Sequence, residues 1–380
     1  MYSYTPCRYL AVAAALLCAA AVAGAQAGEA DANTGPAGLF AFPTSDREAS
    51  FHFVSYPDLF NWNIGYPQPG WEAAMDWFLG GMKQEGPAFS LIAGDVMDAR
   101  WWYSKEEVRR KTNQYWGGFR KRFEDQGIEV YIAPGDHEYG DDQGLRKMDL
   151  APVFGAQFAT IFDMPENGPE HKKGRAYFFT RGNLAVISVD TFEDAGDRMS
   201  MTVSGAQLAW FTKTLEACQD KEFILVQGHV PVVGPVNSKN SSANMLEGGP
   251  DTAFWKTMVK YGVDAYLCGE HHRITVKQHD GIWQIVHGAL WGTQTDVNYL
   301  RGSVAPGRLT LELFEFDVEY GGGYLGGHPH RGETNRPREQ VRISQAARRD
   351  GPRTLGTLVI EARPGANETA RATGVFDAAP

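Results

Sequence analysis

The chain has 380 residues, 43% apolar and 22% charged, with a formal net charge of -10. This composition excludes a largely disordered chain and leaves room for one large catalytic domain with a small appendage. The acidic balance argues against general nucleic-acid binding, so no nucleic-acid partner is expected, and a phosphate-bearing ligand would need a local source of positive charge.

Arg8 precedes "YLAVAAALLCAAAVAGAQA", an apolar run that closes on small residues with Ala25-Gln26-Ala27. A charged start, a short apolar core and a small-residue exit predict a secretory signal peptide over residues 1–27 and a secreted or periplasmic protein. A permanent anchor would need a longer and more uniform span, and none is expected once this segment is removed. Its removal takes away Cys7 and Cys18 and leaves Cys218 and Cys268, too few for a disulfide framework. Residues 28–49 read as a linker.

From residue 50 the chain alternates between two patterns. Trp71, Ala74, Met75, Phe78, Leu79 and Met82 follow the spacing of one apolar helix face. "FSLIAGD" then runs as a buried strand ending at Asp95. Ser104 with Glu107 predicts a capping box opening a helix through the basic, aromatic stretch Trp101–Phe123. The charges of that helix face water, while Arg100 and Trp101 are placed to line a pocket. "EVYIAPGD" brings a second strand to Asp136, followed at once by His137, Glu138, Asp141 and Asp142.

"LAVISVD" ends at Asp190, which serves structure as readily as chemistry. Ser204 with Gln207 predicts another capping box, "FILVQGH" a strand ending at His229, and "AYLCGE" one ending at Glu270 with Cys268 in the core. Gly127 and Gly262 stand where helix C-terminal glycines belong. "GALWGTQTDVNY", Gly288 to Tyr299, offers a further wall. After Gly307 alternating strands flank a Gly- and Pro-rich loop containing His328 and His330, which reads as a solvated loop. The alternation makes the fold class α/β. In such folds ligands gather beyond the carboxyl ends of strands. Several strand ends presenting Asp, Glu or His point to a convergent metal site, because buried like charges need a cation between them.

At these residues the chain resembles the calcineurin-like metallophosphoesterase superfamily, whose ordered signature is D-x-H, G-D-x-x-D, G-N-H-D/E, a His after a strand, and G-H-x-H. "GDVMD", Gly94 to Asp98, matches intact. "GDHE" places Asp136 where Asn is usual, "QGHVP" centres on His229, and "GEHH" has Glu270 for the first His while keeping His272. The first block reads "SYPDLFNWN", with Asp58 as its ligand and Asn61 or Asn63 as helper. Asp98 occupies the position where purple acid phosphatases carry Tyr, a departure from that branch.

The resemblance covers residues 50 to 295 and implies a two-sheet sandwich flanked by helices, with a β-rich C-terminal extension. The expected division is a metallophosphoesterase domain over 50–305, a β-rich edge or cap over 306–365, and a flexible tail over 366–380. It further implies two divalent ions bridged by Asp95, one also held by Asp58 and His272, the other by Asp136, His229 and Glu270. His137 would be the catalytic imidazole near the leaving group, with Glu138 orienting it. Four carboxylates roughly neutralise two dications, which favours Mn, Fe, Mg or Ca over Zn alone. The expected function is hydrolysis of a phosphoester substrate by water activated at the metals, with no obligate protein partner. The alternative is an inactive relative that binds a phosphorylated or sugar ligand.

Overall fold

The computed structural model describes residues 50–58, 70–97, 99, 101, 104–140, 148–239, 241–288, 295–321, 340–363 and 367–377. Residues 1–49, Asn61, Asn63, Asp98, Arg100, Asp141, Asp142, His328 and His330 lie outside them, and with them the expected signal peptide and linker.

In chain order the elements are β1 (Phe51–Ser55), α1 (Trp71–Glu85), β2 (Phe89–Ala93), α2 (Lys105–Gln126), β3 (Val130–Ala133) and α3 (Ala151–Phe162). The hairpin β4 (Tyr177–Arg181) and β5 (Leu184–Ser188) follows, then β6 (Phe192–Asp194), β7 (Met199–Met201), α4 (Gly205–Ala217) and β8 (Phe223–Gln227). Next come α5 (Ala253–Lys260), β9 (Ala265–Cys268), β10 (Thr275–His279), β11 (Ile282–Val286), β12 (Asp296–Ala305) and β13 (Arg308–Gly321). The chain closes with β14 (Gln340–Ile343), α6 (Gln345–Asp350), β15 (Arg353–Glu361) and β16 (Glu368–Gly374).

β6 pairs with β7 in a separate two-stranded sheet, and two large sheets carry the other strands. The first has the order β16-β15-β13-β12-β1-β2-β3, with β14 added to the end of β13, and the second β10-β11-β9-β8-β5-β4. β1, β2 and β3 are mutually parallel, as are β5, β8, β9 and β11. Phe53, Phe89, Leu91 and Leu311 of one sheet pack with Val186, Leu225, Leu267 and Ile285 of the other in a buried cluster between them. Helices α1, α2 and α3 cover the outer face of the first sheet in another cluster. On the second sheet, Phe211 of α4 and Phe254 of α5 pack against each other at a tilt, and Phe254 meets Tyr266 edge-on. The result is a sandwich with helices outside both sheets.

Local signals explain how the helices are placed. The buried residues of α1 are the six of its expected stripe, Trp71 to Met82, and each large apolar side chain removed from water contributes roughly 1.5–3 kcal/mol. Ser104 caps α2, its Oγ accepting from the Glu107 N–H at 3.1 Å, and Gly127 ends it in the left-handed conformation at φ 69°. The expected box at α4 does not form. Ser204 makes no side-chain cap bond. Gln207 is instead buried beside Asp190, accepting from its N–H at 3.0 Å and donating to its carbonyl at 2.9 Å. A burial demand on the Gln side chain overrides the local capping signal.

The stretch from 366 to 380 is not a flexible tail over its described part. Glu368 to Gly374 form β16 on the edge of the first sheet, and Phe376 is buried against Trp283. The strand escapes sequence reading because its own side chains are largely exposed and polar, so that its register is set by β15 and by the single anchor Phe376. Among the described residues, no helix is long and apolar enough to cross a membrane.

Candidate metal centre

Parallel strands of both sheets end at one place. Asp58 follows β1, Asp95 follows β2 and Asp136 follows β3, all from the first sheet; His229 follows β8, and Glu270 and His272 follow β9, from the second. β2 and β3 finish level, Ala93 opposite Ala133, so the loops bearing Asp95 and Asp136 start side by side. All six residues are almost wholly buried.

Their donor atoms form two groups that share one member. Asp95, Asp136, His229 and Glu270 each bring a donor atom within 4.8 Å of the others, and Asp58, Asp95 and His272 do the same. In the first group His229 Nε2 lies 3.2 Å from Glu270 Oε2, 3.3 Å from Asp136 Oδ1 and 3.4 Å from Asp95 Oδ1. Its Nδ1 donates to the Ala93 carbonyl at 2.7 Å. That bond fixes the ring orientation and aims Nε2 among three carboxylates, the usual arrangement of a metal-binding imidazole. His272 repeats the device, with Nδ1 on the Lys239 carbonyl at 3.2 Å and Nε2 3.9 Å from Asp58 Oδ1.

Close approach of the loops depends on glycine. A Cβ on Gly135 would sit 2.2 Å from Asp95 Oδ1, and one on Gly269 would sit 2.5 Å from Asp58 Oδ2. Asp58, Asp95, Glu270 and His272 themselves adopt positive φ, at 58°, 58°, 69° and 55°. Non-glycine residues avoid this region, and such strain concentrates where the surroundings over-determine a site.

The electrostatics of the bare cluster are unbalanced. Burial pushes the Asp58 carboxyl up to about 8, and it likewise raises Asp95 far above the carboxylate range and Glu270 above its usual value. Asp136 is held below its ordinary value because His137 and His229 outweigh the effect of its burial. Burial would lower His229, but Asp95, Asp136 and Glu270 raise it well above the usual imidazole value. The protein alone therefore lacks the positive charge to keep four buried carboxylates ionised together. Asp58 Oδ2 is also buried without a hydrogen-bond partner. An orphaned carboxylate oxygen, two imidazoles with Nε2 turned inward and an oxygen-rich donor set fit divalent cations.

The residues around this cluster divide by task. Glu138 is buried and its Oε2 accepts from the N–H groups of Asp95 and Gly135, both at 2.8 Å, while Oε1 accepts from Val96 at 3.1 Å. Both oxygens are thus engaged with backbone, so that Glu138 is a positioning residue that straps two donor loops together. His137 donates its backbone N–H to Asp95 Oδ1 at 3.3 Å, and its Nε2 lies 3.8 Å from Asp95 Oδ2. His271 turns aside, with Nε2 on the Asn244 carbonyl at 3.0 Å.

Sequence reading did not single out Ser241 and Asn244. Both donate to Glu270 Oε1 at 3.0 Å, from a hydroxyl and a backbone N–H, and so turn Oε2 toward His229. The only signal was a run of Asn and Ser, "NSKNSSAN", in the loop after His229. Asp190 stands apart from the cluster, bonded to Lys172 Nζ at 2.9 Å and to Arg175 Nη1 at 3.3 Å in a buried ion-pair network with Tyr139. Its role there is structural.

The pattern of the calcineurin-like phosphoesterase family matches residues 58–273. Over 189 residues the sequence is 32% identical to tartrate-resistant acid phosphatase type 5 of Oryctolagus cuniculus, covering 45% of this chain and 54% of that protein. The Homo sapiens protein of the same name is 27% identical over 126 residues, covering 29% of this chain and 35% of its own length. The chain thus spans about half or less of the length of these curated relatives. Among solved structures, GAP50, the anchor in the inner membrane complex of Plasmodium, is similar with a TM-score of 0.48 and 13% identity, covering 70% of this chain and 84% of that one.

Proposed function

The chain belongs to the calcineurin-like phosphoesterase family, and on that premise we propose that it is a phosphoester hydrolase dependent on two divalent cations. The observation that carries this reading is the pair of donor groups joined through Asp95. Asp58, Asp95 and His272 would hold one cation, and Asp95, Asp136, His229 and Glu270 the other. When bound, such a pair lends Lewis-acid charge to a phosphoryl group and lowers the pKa of water far enough for it to attack phosphorus.

The remaining steps belong to the chain's own residues. Asp95 shares its carboxylate between the two groups and fixes their separation. His137, placed beside that carboxylate by its backbone N–H, would deliver a proton from its ring to the leaving oxygen. Glu138 and the glycines hold the loops at the distances this needs. Three of the four donors in the larger group are carboxylates, and this hard, oxygen-rich set favours Mn, Fe, Mg or Ca over Zn alone. The inactive alternative gains no support from the departures in the first and last motifs, since Asp58 and Glu270 still bring carboxylates to the cluster. We also propose that the protein acts outside the cytoplasm, on the strength of the signal-like segment before residue 28.

The test is an assay of the metal-stripped protein on nitrophenyl mono- and diesters with a panel of divalent cations, alongside Asp95→Asn. Turnover that needs added cation, and falls at least about a hundredfold in the variant, is expected for a residue shared by both groups. A folded protein with no turnover under any cation contradicts the reading. The ester preferred separates monoesterase from diesterase.

A further inference from the structure

A cleft of about 390 Å³ opens beside His272, lined also by Asn237, Ser238, Arg273, Asp296 and Glu315. It is thus continuous with one of the two donor groups at the metal centre. Its volume suits the alcohol half of a small ester. Two sides meet in it: the loop after β8 and the loop after β9 supply Asn237, Ser238 and Arg273, while β12 and β13 supply Asp296 and Glu315. Ile274 is the single apolar residue in the lining.

The charges alternate across the cleft. Arg273 Nη1 lies 3.5 Å from Asp296 Oδ2, and Glu315 is paired on its other side with Arg353. The Glu315 side chain is 13% exposed and that of Asp296 29%, so Glu315 keeps only a thin contact with water and Asp296 a partial one. A ring or acyl chain entering here would strip that water and return nothing, which is costly for ionised groups. A hydroxyl group both donates and accepts. Several on one ligand could donate to Asp296 and Glu315 while accepting from Arg273, Asn237 and Ser238.

Resting on the hydrolase reading above, we infer that this cleft receives the leaving-group half of the substrate and selects a polyhydroxylated alcohol, as in a sugar phosphate. The phosphoryl group faces the metal centre past His272, and the hydroxyls of the alcohol bridge the acidic wall and Arg273. Selectivity of this kind arises because a site built to hydrogen-bond hydroxyls penalises an analogue that leaves its polar groups unpaired.

The experiment is titration calorimetry on the full chain loaded with Mn²⁺, using a hexose 6-phosphonate, phenylphosphonate and methylphosphonate, whose C–P bonds resist hydrolysis. The hexose compound is expected to bind at least about tenfold more tightly than methylphosphonate, the worth of one or two net hydrogen bonds, with phenylphosphonate no tighter than methyl. Asp296→Ala and Glu315→Ala should each remove most of that advantage and leave methylphosphonate binding unchanged, which also shows that the variants fold. Arg273→Ala, at a side chain 43% exposed, gives the same reading if either acidic variant fails to fold. Binding without a hexose preference, or a preference that survives these substitutions, overturns the inference alone. Failure of all three phosphonates to bind overturns the hydrolase reading and the inference with it.

Discussion

Glu138 shows how much of the proposed metal site lies in residues outside its donor set. One buried carboxylate collects backbone N–H groups from Asp95, Val96 and Gly135, so the loops after β2 and β3 are tied at the height where Asp95 and Asp136 emerge. The strain in the donor loops makes such a tie necessary: Asp58, Asp95, Glu270 and His272 each sit at positive φ, at a cost of about 1–2 kcal/mol apiece. Replacing Glu138 by Ala leaves three buried donors without acceptors. We expect a loss of about 2–5 kcal/mol in stability from these unmet amides, and a fall of about 10–100-fold in cation affinity, the usual effect of losing a residue that orients ligands. Glu138→Gln keeps one acceptor oxygen, which can still serve the Asp95 and Gly135 N–H groups, but sets an NH2 donor against the Val96 N–H, and should fall between. Chemical denaturation and cation titration of both variants measure this, and unchanged affinity in Glu138→Ala would contradict the positioning role.

At the scale of elements, strand ends decide the site and strand junctions hold it. Asp264, at the entry to β9, accepts from the Ile224 N–H of β8 at 2.7 Å and from Asn367 Nδ2, just before β16, at 2.6 Å. Burial raises its carboxyl to about 6 despite these bonds. A carboxyl raised on folding stabilises the protein fully below its unfolded value near 4, and that contribution is lost as pH rises through about 6. Between pH 4 and 6.5 the wild type should therefore lose about 2 kcal/mol relative to Asp264→Asn, most of the effect of a shift of about two pKa units. Denaturation midpoints of the two proteins across this range test it; parallel curves would show that Asp264 does not couple to folding.

The same scale shows what was legible in the sequence. Buried parallel strands ending in Asp, Glu or His were readable because such strands are apolar throughout and break abruptly at Gly or Pro, as in "FSLIAGD" and "FILVQGH". The stripe of α1 and the cap of α2 were readable because each is set by residues within a turn or two. The failures all involve long-range partners. Gln207 is taken from its capping role by Asp190, β16 is ordered by β15 and Phe376, and Glu138 and Ser241 act through groups far along the chain. Of the five strand-end residues read from the sequence, Asp95, Asp136, His229 and Glu270 gather in one cluster and Asp190 does not; Asp58 and His272 were implied only by the family resemblance, and the bonds that aim these side chains could not be read at all.

For the whole molecule, the centre is a staple between the two sheets. Asp58, Asp95 and Asp136 come from the first and His229, Glu270 and His272 from the second, and each donor group draws on both. Cations held there would join the sheets at the end of the sandwich and offset four buried carboxylates in a chain already carrying -10. Binding is then coupled to folding, because the unfolded chain offers no such site. Ligand aim, loop strain and sheet topology all converge on the proposed pair of ions, so their number is the quantity to measure. Elemental analysis and Mn²⁺ titration calorimetry of the purified chain, with Asp95→Asn and Asp58→Asn beside it, should give two cations per wild-type chain and a higher melting temperature with metal. Asp58→Asn should weaken one site and Asp95→Asn both. One cation or none in the wild type, or stoichiometric zinc as the only metal retained, would contradict the account.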